Sequence, residues 1–170
     1  KTEVSWGHSR NAAKRDVGAN APTDLTKDAW GAFWQGRALL NQTVGAELTT
    51  EQMTELRGYR DQALLAWEMA IVATVVHYIN DSLQDITNNA DLSDLAKHWS
   101  EMKGFALSMQ FNPHSPLSDD AFEEFHTLVG DRPYRTEEYK DALVQARTLL
   151  GDIYEIDSTN LGDENGENGW

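Results

Sequence analysis

Two pairs of residues in this chain have the types and spacing to bind a cation. His77 and Asp81 stand at i and i+4, with Asn80 beside them, so on a helix both side chains lie on one face, one turn apart, and could share a divalent metal. His98 and Glu101, in His98-Trp-Ser-Glu101, stand at i and i+3. Carboxylate-bridged metal sites in helical bundles use this spacing in the opposite order, Glu-x-x-His. Each pair also has a structural reading. His77 can bond a neighbouring helix while Asp81 and Asp85 lie in a solvated end, and His98 and Glu101 can sit on the flank of an apolar stripe and toward solvent.

Two further groups are candidates for ligand binding. Arg60 falls on the helical line of Leu56 and Trp67, which predicts an inward guanidinium, paired with a carboxylate of the protein or of a ligand. Trp6 and His8, in Trp6-Gly-His-Ser-Arg10, could cover a pocket.

Several chemistries are excluded. The chain has no cysteine, hence no disulfide, no thiolate metal site and no thiol nucleophile. It contains no Gly-rich phosphate loop, no His-Glu-x-x-His, no Gly-x-Ser-x-Gly and no EF-hand loop. Residues 157–168 have the composition of a calcium loop without its spacing. The net charge of −14, from 28 acidic against 14 basic residues, disfavours nucleic acid and anionic membrane surfaces, which are bound by neutralising phosphates. No apolar run approaches the ~20 residues of a membrane span, and no transmembrane segment is expected.

The elements that must position these residues read as helices. Residues 1–23 are expected to be an irregular arm, or the tail of a helix. Leu25, Ala29, Ala32, Phe33, Gly36, Leu39 and Leu40 then recur at helical spacing over 25–41 and predict one buried stripe. Thr49-Thr-Glu-Gln52 is a capping box that opens a helix running to about residue 86, or ~55 Å at 1.5 Å per residue. Its centre, with Ala70, Ile71, Val72, Val75 and Val76, is apolar on several faces and belongs in the middle of the protein. Asp91 or Ser93 caps a third helix that Asn112-Pro113 ends near Phe111. Ser118 caps a fourth, to about Val129, and Thr136-Glu-Glu138 opens the last, to about Tyr154. Residues 157–170 have the composition of a mobile acidic tail. The expectation is an all-α bundle of about five helices over residues 24–156, in which His77 and His98 lie level across a hairpin, within ~4–5 Å by helical rise.

Five segments together resemble a known family: Trp6-Gly-His-Ser-Arg10, Ala66-Trp-Glu68, Val76-His-Tyr-Ile-Asn80, the run from Ser100 to Pro113, and Gly130-Asp131. They are similar to the C-terminal half of a bacterial family catalogued as a domain of unknown function and related to the imelysin-like proteins. The resemblance implies an all-helical, periplasmic or secreted protein, in some cases lipoprotein-anchored, built from two related bundle halves and linked to iron uptake. The imelysin signature Gly-x-His-x-x-Glu maps onto Ala96-Lys-His98-Trp-Ser-Glu101, with Ala96 in place of the glycine. The expected function is therefore a non-enzymatic, extracytoplasmic binding protein for a divalent or ferric ion, held by His98, Glu101, His77 and Asp81. Its expected partner is the missing N-terminal half or a second chain of the same protein. A metallopeptidase and a structural module forming half of a larger helical assembly are the competing readings.

Overall fold

The computed structural model describes the backbone of residues 3–170 and the side chains from residue 9 onward. The described residues form an all-α bundle without strands: α1 (Glu3–Gly18), α2 (Leu25–Gln42), α3 (Thr50–Thr87), α4 (Leu92–Ser108), a 3-10 turn (Met109–Phe111), α5 (Asp119–Val129), α6 (Glu137–Ile153) and a short α7 (Ser158–Leu161). Local chemistry sets most of the boundaries. The Thr49 hydroxyl accepts the Gln52 amide while the Gln52 side chain accepts the Thr49 amide, closing the capping box. Ser118 caps α5 through the Ala121 amide, and Thr136 caps α6 through the Tyr139 amide. Asp91 is the N-cap of α4 but makes no side-chain cap bond.

The 38-residue α3 is the axis of the fold. Val72, Ala73, Val75, Val76, Ile79 and Leu83 are fully enclosed, with Met102 and Ala106 of α4, Phe125 and Val129 of α5, and Leu143, Ala146 and Leu150 of α6 packed around them. Burial on all sides answers the absence of a polar face in this stretch. By length and composition alone α3 could cross a membrane, with an 18-residue window of mean hydropathy 1.4; 56% of that window is buried inside the protein, as in the core helix of a bundle.

The first turns of α3 project beyond this core as a hairpin with α2. There the buried line is Ala32, Gly36 and Leu39 of α2 against Ala63 and Ala66 of α3, and a Cβ on Gly36 would meet Leu56 and Tyr59 at 3.6 and 3.7 Å. The expected α2 stripe is corrected in two places: Phe33 and Leu40 are 59% and 46% exposed. Each follows a buried residue by one position, which is 100° around the helix and off the face that α3 covers.

Expectations for the chain ends are also settled. Of the two readings of the N-terminal segment, the irregular arm is corrected and the helical one holds: it is helical over Glu3–Gly18, and its inner face reaches the core through Ala12. The expectation for the C-terminal end is corrected. The segment expected as a mobile tail is folded against α1, α3 and α6. Asn80 of α3 donates to the Leu161 and Trp170 carbonyls, both at 3.0 Å, and accepts from Arg147 of α6 at 2.5 Å. Arg147 also donates to the Asp163 carbonyl, and Gln84 to that of Gly166. Asn160 is buried and pairs with the backbone of Asn20 and Ala21, while the Trp170 indole is buried and donates to the Arg15 carbonyl at 3.1 Å. Gly166 has φ +81, and any Cβ there would run into the Asn80 backbone. Polar composition predicted mobility because it says nothing of buried side chains elsewhere that need these carbonyls.

Candidate functional site

The polar end of the α3 core and the facing turn of α4 meet under α1. The His77–Asp81 pairing predicted by the i, i+4 spacing is present, with Nε2 to Oδ2 at 3.4 Å. His98 arrives from α4: its Nδ1 lies 2.7 Å from Asp85 Oδ2 and its Nε2 lies 3.8 Å from Asp81 Oδ2. Since the carboxylate can only accept, Nδ1 carries the proton in that bond, which turns Nε2 toward Asp81. Asp85 is the most enclosed of the four, with its side chain 13% exposed. The carboxylates that continue the buried stripe of α3 thus find partners on α4.

Around this net lie three more groups. Tyr78 bonds Glu101 and is pushed up to about 12, first by burial and then by that carboxylate. Its ring stacks between His98 and Phe105, with centroids 6.2 and 6.0 Å away. Arg15 of α1 feels both Tyr78 and Asp81, and its Nε is buried without a hydrogen-bond partner. His77 is held below the ordinary histidine range by burial, then by the positive field of Arg15, against the opposing pull of Asp81 and a bond with the Trp170 backbone. His77 is therefore a neutral imidazole at pH 7.

His77, Asp81 and His98 are brought together, and Glu101 joins through Tyr78. Arg60 does not point inward as expected, and its carboxylate partner is a neighbour in sequence: its side chain is 45% exposed and paired with the adjacent Asp61 at 2.8 Å. It lies on the projecting hairpin, where the face that α2 covers runs through Leu56, Tyr59 and Ala63 and leaves Arg60 on the flank. The side chains of Trp6 and His8 lie outside the described residues. Arg15 and Trp170 carry no motif that marks them in sequence. Only their types, a cation and an aromatic in otherwise polar segments, point to burial.

As a metal centre the cluster is incomplete. Among the described residues, no three His, Asp or Glu side chains are grouped so as to hold a metal ion. One His98 nitrogen is engaged by Asp85, and Asp81 is already in the field of a cation, Arg15.

A second polar centre lies further along α3. Glu68 is 3% exposed and accepts from Tyr154 at 2.5 Å, from Ser115, and from Asn112. Three neutral donors tie the 112–115 loop and the end of α6 to α3. The Gly130 turn is held similarly: Trp99 and Tyr139 both donate to the Val129 carbonyl, and Lys103 to that of Gly130. The segments Ala66-Trp-Glu68, Ser100 to Pro113 and Gly130-Asp131 therefore contribute anchoring groups to the bundle. No family model matches the chain, and no curated protein or solved structure matches it.

Proposed function

We propose that this chain is a non-enzymatic helical binding protein, and that the His77–Asp81–His98–Asp85 net is where it takes up a divalent or ferric ion. One observation carries the reading: two imidazole Nε2 atoms lie 3.4 and 3.8 Å from one Asp81 oxygen, close to the spacing of neighbouring ligands around a cation with bonds of about 2.0–2.1 Å. The Asp85–His98 bond supplies the outer carboxylate that orients metal-binding imidazoles. Asp81, Asp85 and Glu101 outnumber Arg15, so a cation entering the net meets excess negative charge. Entry requires both rings and Asp81 to close on the ion against the positive field of Arg15. The link to iron acquisition, and action outside the cytoplasm, rest on the resemblance to the imelysin-like proteins. A metallopeptidase also needs about three protein ligands and an open position for an activated water, and no observation favours it.

Titration calorimetry with ferrous, zinc and calcium salts tests the reading on the whole chain. The expected result is one site for at least one of these ions, lost in Asp81→Asn and weakened at least about tenfold in His98→Ala. Absence of binding by the unmodified chain, or equal binding by Asp81→Asn, refutes it.

A second reading, an interaction module within a larger helical assembly, is favoured by the outer face of α2, where Trp30, Phe33 and Trp34 are 69%, 59% and 60% exposed. Three adjacent exposed aromatic rings make a contiguous apolar patch of the kind that is often functional on a monomer. A photo-crosslinking residue placed at Trp30 should trap protein in cells; a clean absence of crosslinks removes this reading.

A further inference from the structure

The exposed α2 face carries its own register. Trp30, Phe33, Arg37 and Leu40 are all exposed along the helix and follow one another at intervals of three, four and three. That is the seam spacing of a helix that packs on another helix. The interval pattern is the same read from either end, so the stripe fits an antiparallel copy of itself. Centred near Gln35, such a pairing sets Leu40 against Trp30 of the second copy, and Arg37 against Phe33.

We propose that two copies of this chain associate through α2 in this antiparallel register, burying the aromatic stripe and placing each Arg37 over the Phe33 ring of the other copy. The proposal deepens the interaction-module reading by naming the partner as a second copy. Three observations support it. First, the two-fold pairing is isologous and closes at two copies. Second, at about 150–250 Å² per aromatic side chain, the exposed fractions of Trp30, Phe33 and Trp34 amount to roughly 300–450 Å². Leu40 and the stem of Arg37 add to this, which places the interface at the lower end of the range around the ~800 Å² per partner of a standard one. Third, the charge distribution leaves this region free to self-associate. Residues 1–60 hold 8 basic and 7 acidic residues, whereas residues 61–170 hold 6 and 21. Two strongly acidic bodies repel, and α2 lies in the near-neutral part of the chain. Within the seam Arg37 meets an aromatic face, a favourable cation–π placement, with no like charge opposite.

Sedimentation equilibrium of the whole chain tests the proposal, with circular dichroism to confirm that each variant folds. The unmodified protein should reach twice the 19.1 kDa chain mass. Phe33→Lys sets a cation against Arg37 of the second copy and should weaken association roughly 100-fold. Adding Arg37→Glu to it should restore the dimer, because in this register the two positions face each other and nowhere else. A monomer up to about 100 µM, a dimer indifferent to F33K, or a failure of R37E to rescue F33K overturns the proposal. Crosslinks from Trp30 to a different protein, with a monomeric chain, would leave the interaction-module reading standing and remove self-pairing.

Discussion

Replacing Gly166 by alanine should detach the C-terminal strap while leaving the hydrophobic core of α3 to α6 in place. Gly166 sits at φ +81, where a Cβ costs about 1–2 kcal/mol. That Cβ would also run into the Asn80 carbonyl, with the Asn80 Cα only 2.9 Å away. Asn80 belongs to the enclosed middle of α3 and cannot move, so the strap must. If it lifts locally, the Gln84 bond to the Gly166 carbonyl and the Asn80 bond to the Trp170 carbonyl go, at about 1 kcal/mol each. Full release would also expose the Trp170 ring, whose burial is worth up to about 4–6 kcal/mol by area. Partial relaxation makes 2–4 kcal/mol the expected loss, or roughly 5–15 °C in Tm for a chain of this size. Thermal unfolding followed by circular dichroism gives the first number, and limited proteolysis shows whether cleavage now falls within residues 157–170. Gly58→Ala is the control: nothing lies within 4 Å of its Cβ position and it is exposed on α3, so helix propensity alone predicts a gain of up to about 1 kcal/mol. An unchanged Tm and an uncleaved strap in Gly166→Ala would refute the reasoning.

Two other predictions concern polar groups inside the bundle. Burial, assisted by Lys103, pushes His126 down to about 4, and both of its ring nitrogens are buried without hydrogen-bond partners. The unfolded chain, with histidine near 6.5, therefore binds the proton first, and stability should fall as pH drops from about 6.5 to 4, by about 1–2 kcal/mol after allowing for solvent screening. His126→Leu should flatten that part of the pH profile in urea titrations, leaving the share of His77, which shifts in the same direction; a profile unchanged by the substitution contradicts this. Glu68→Ala strands Asn112, Ser115 and Tyr154 without their acceptor and should cost about 3–5 kcal/mol in urea denaturation. A loss below 1 kcal/mol would mean that the loop re-pairs elsewhere.

Local signals were legible in the sequence because they are local. The capping box at Thr49 and Gln52, the Ser118 and Thr136 caps and the limits of α2 and α3 depend on residues three or four apart. The all-α fold followed from them, as did the His77–Asp81 face and its meeting with His98 across the hairpin. What failed depended on distant partners. Arg60 and Phe33 were placed inward by period, but on a hairpin only one face has a neighbour, and a shift of one residue decides exposure. The strap from 157 to 170 was unreadable because its order comes from Asn80 and Arg147, which need acceptors that a Gly- and Asn-rich segment can bring close. Trp170, an aromatic in an otherwise polar stretch, was the available clue. Asp85 as the partner of His98, and Arg15 within the field of Asp81, required three helices to be in position at once.

The strap also bears on how the molecule folds. Trp170 meets Arg15 across 155 positions, and Asn20 meets Asn160 across 140, whereas the helices that precede these contacts form from neighbours in sequence. Helix pairing can proceed on microsecond to millisecond scales, but closing loops of this span is entropically late. Before closure, Asn80 and Arg147 lie near the core with unpaired donors, a state that opens to water more readily than the finished protein. Native-state hydrogen exchange should therefore show amides of the strap and of α1 exchanging together, ahead of α3 and α6, as the first unit to open and the last to close.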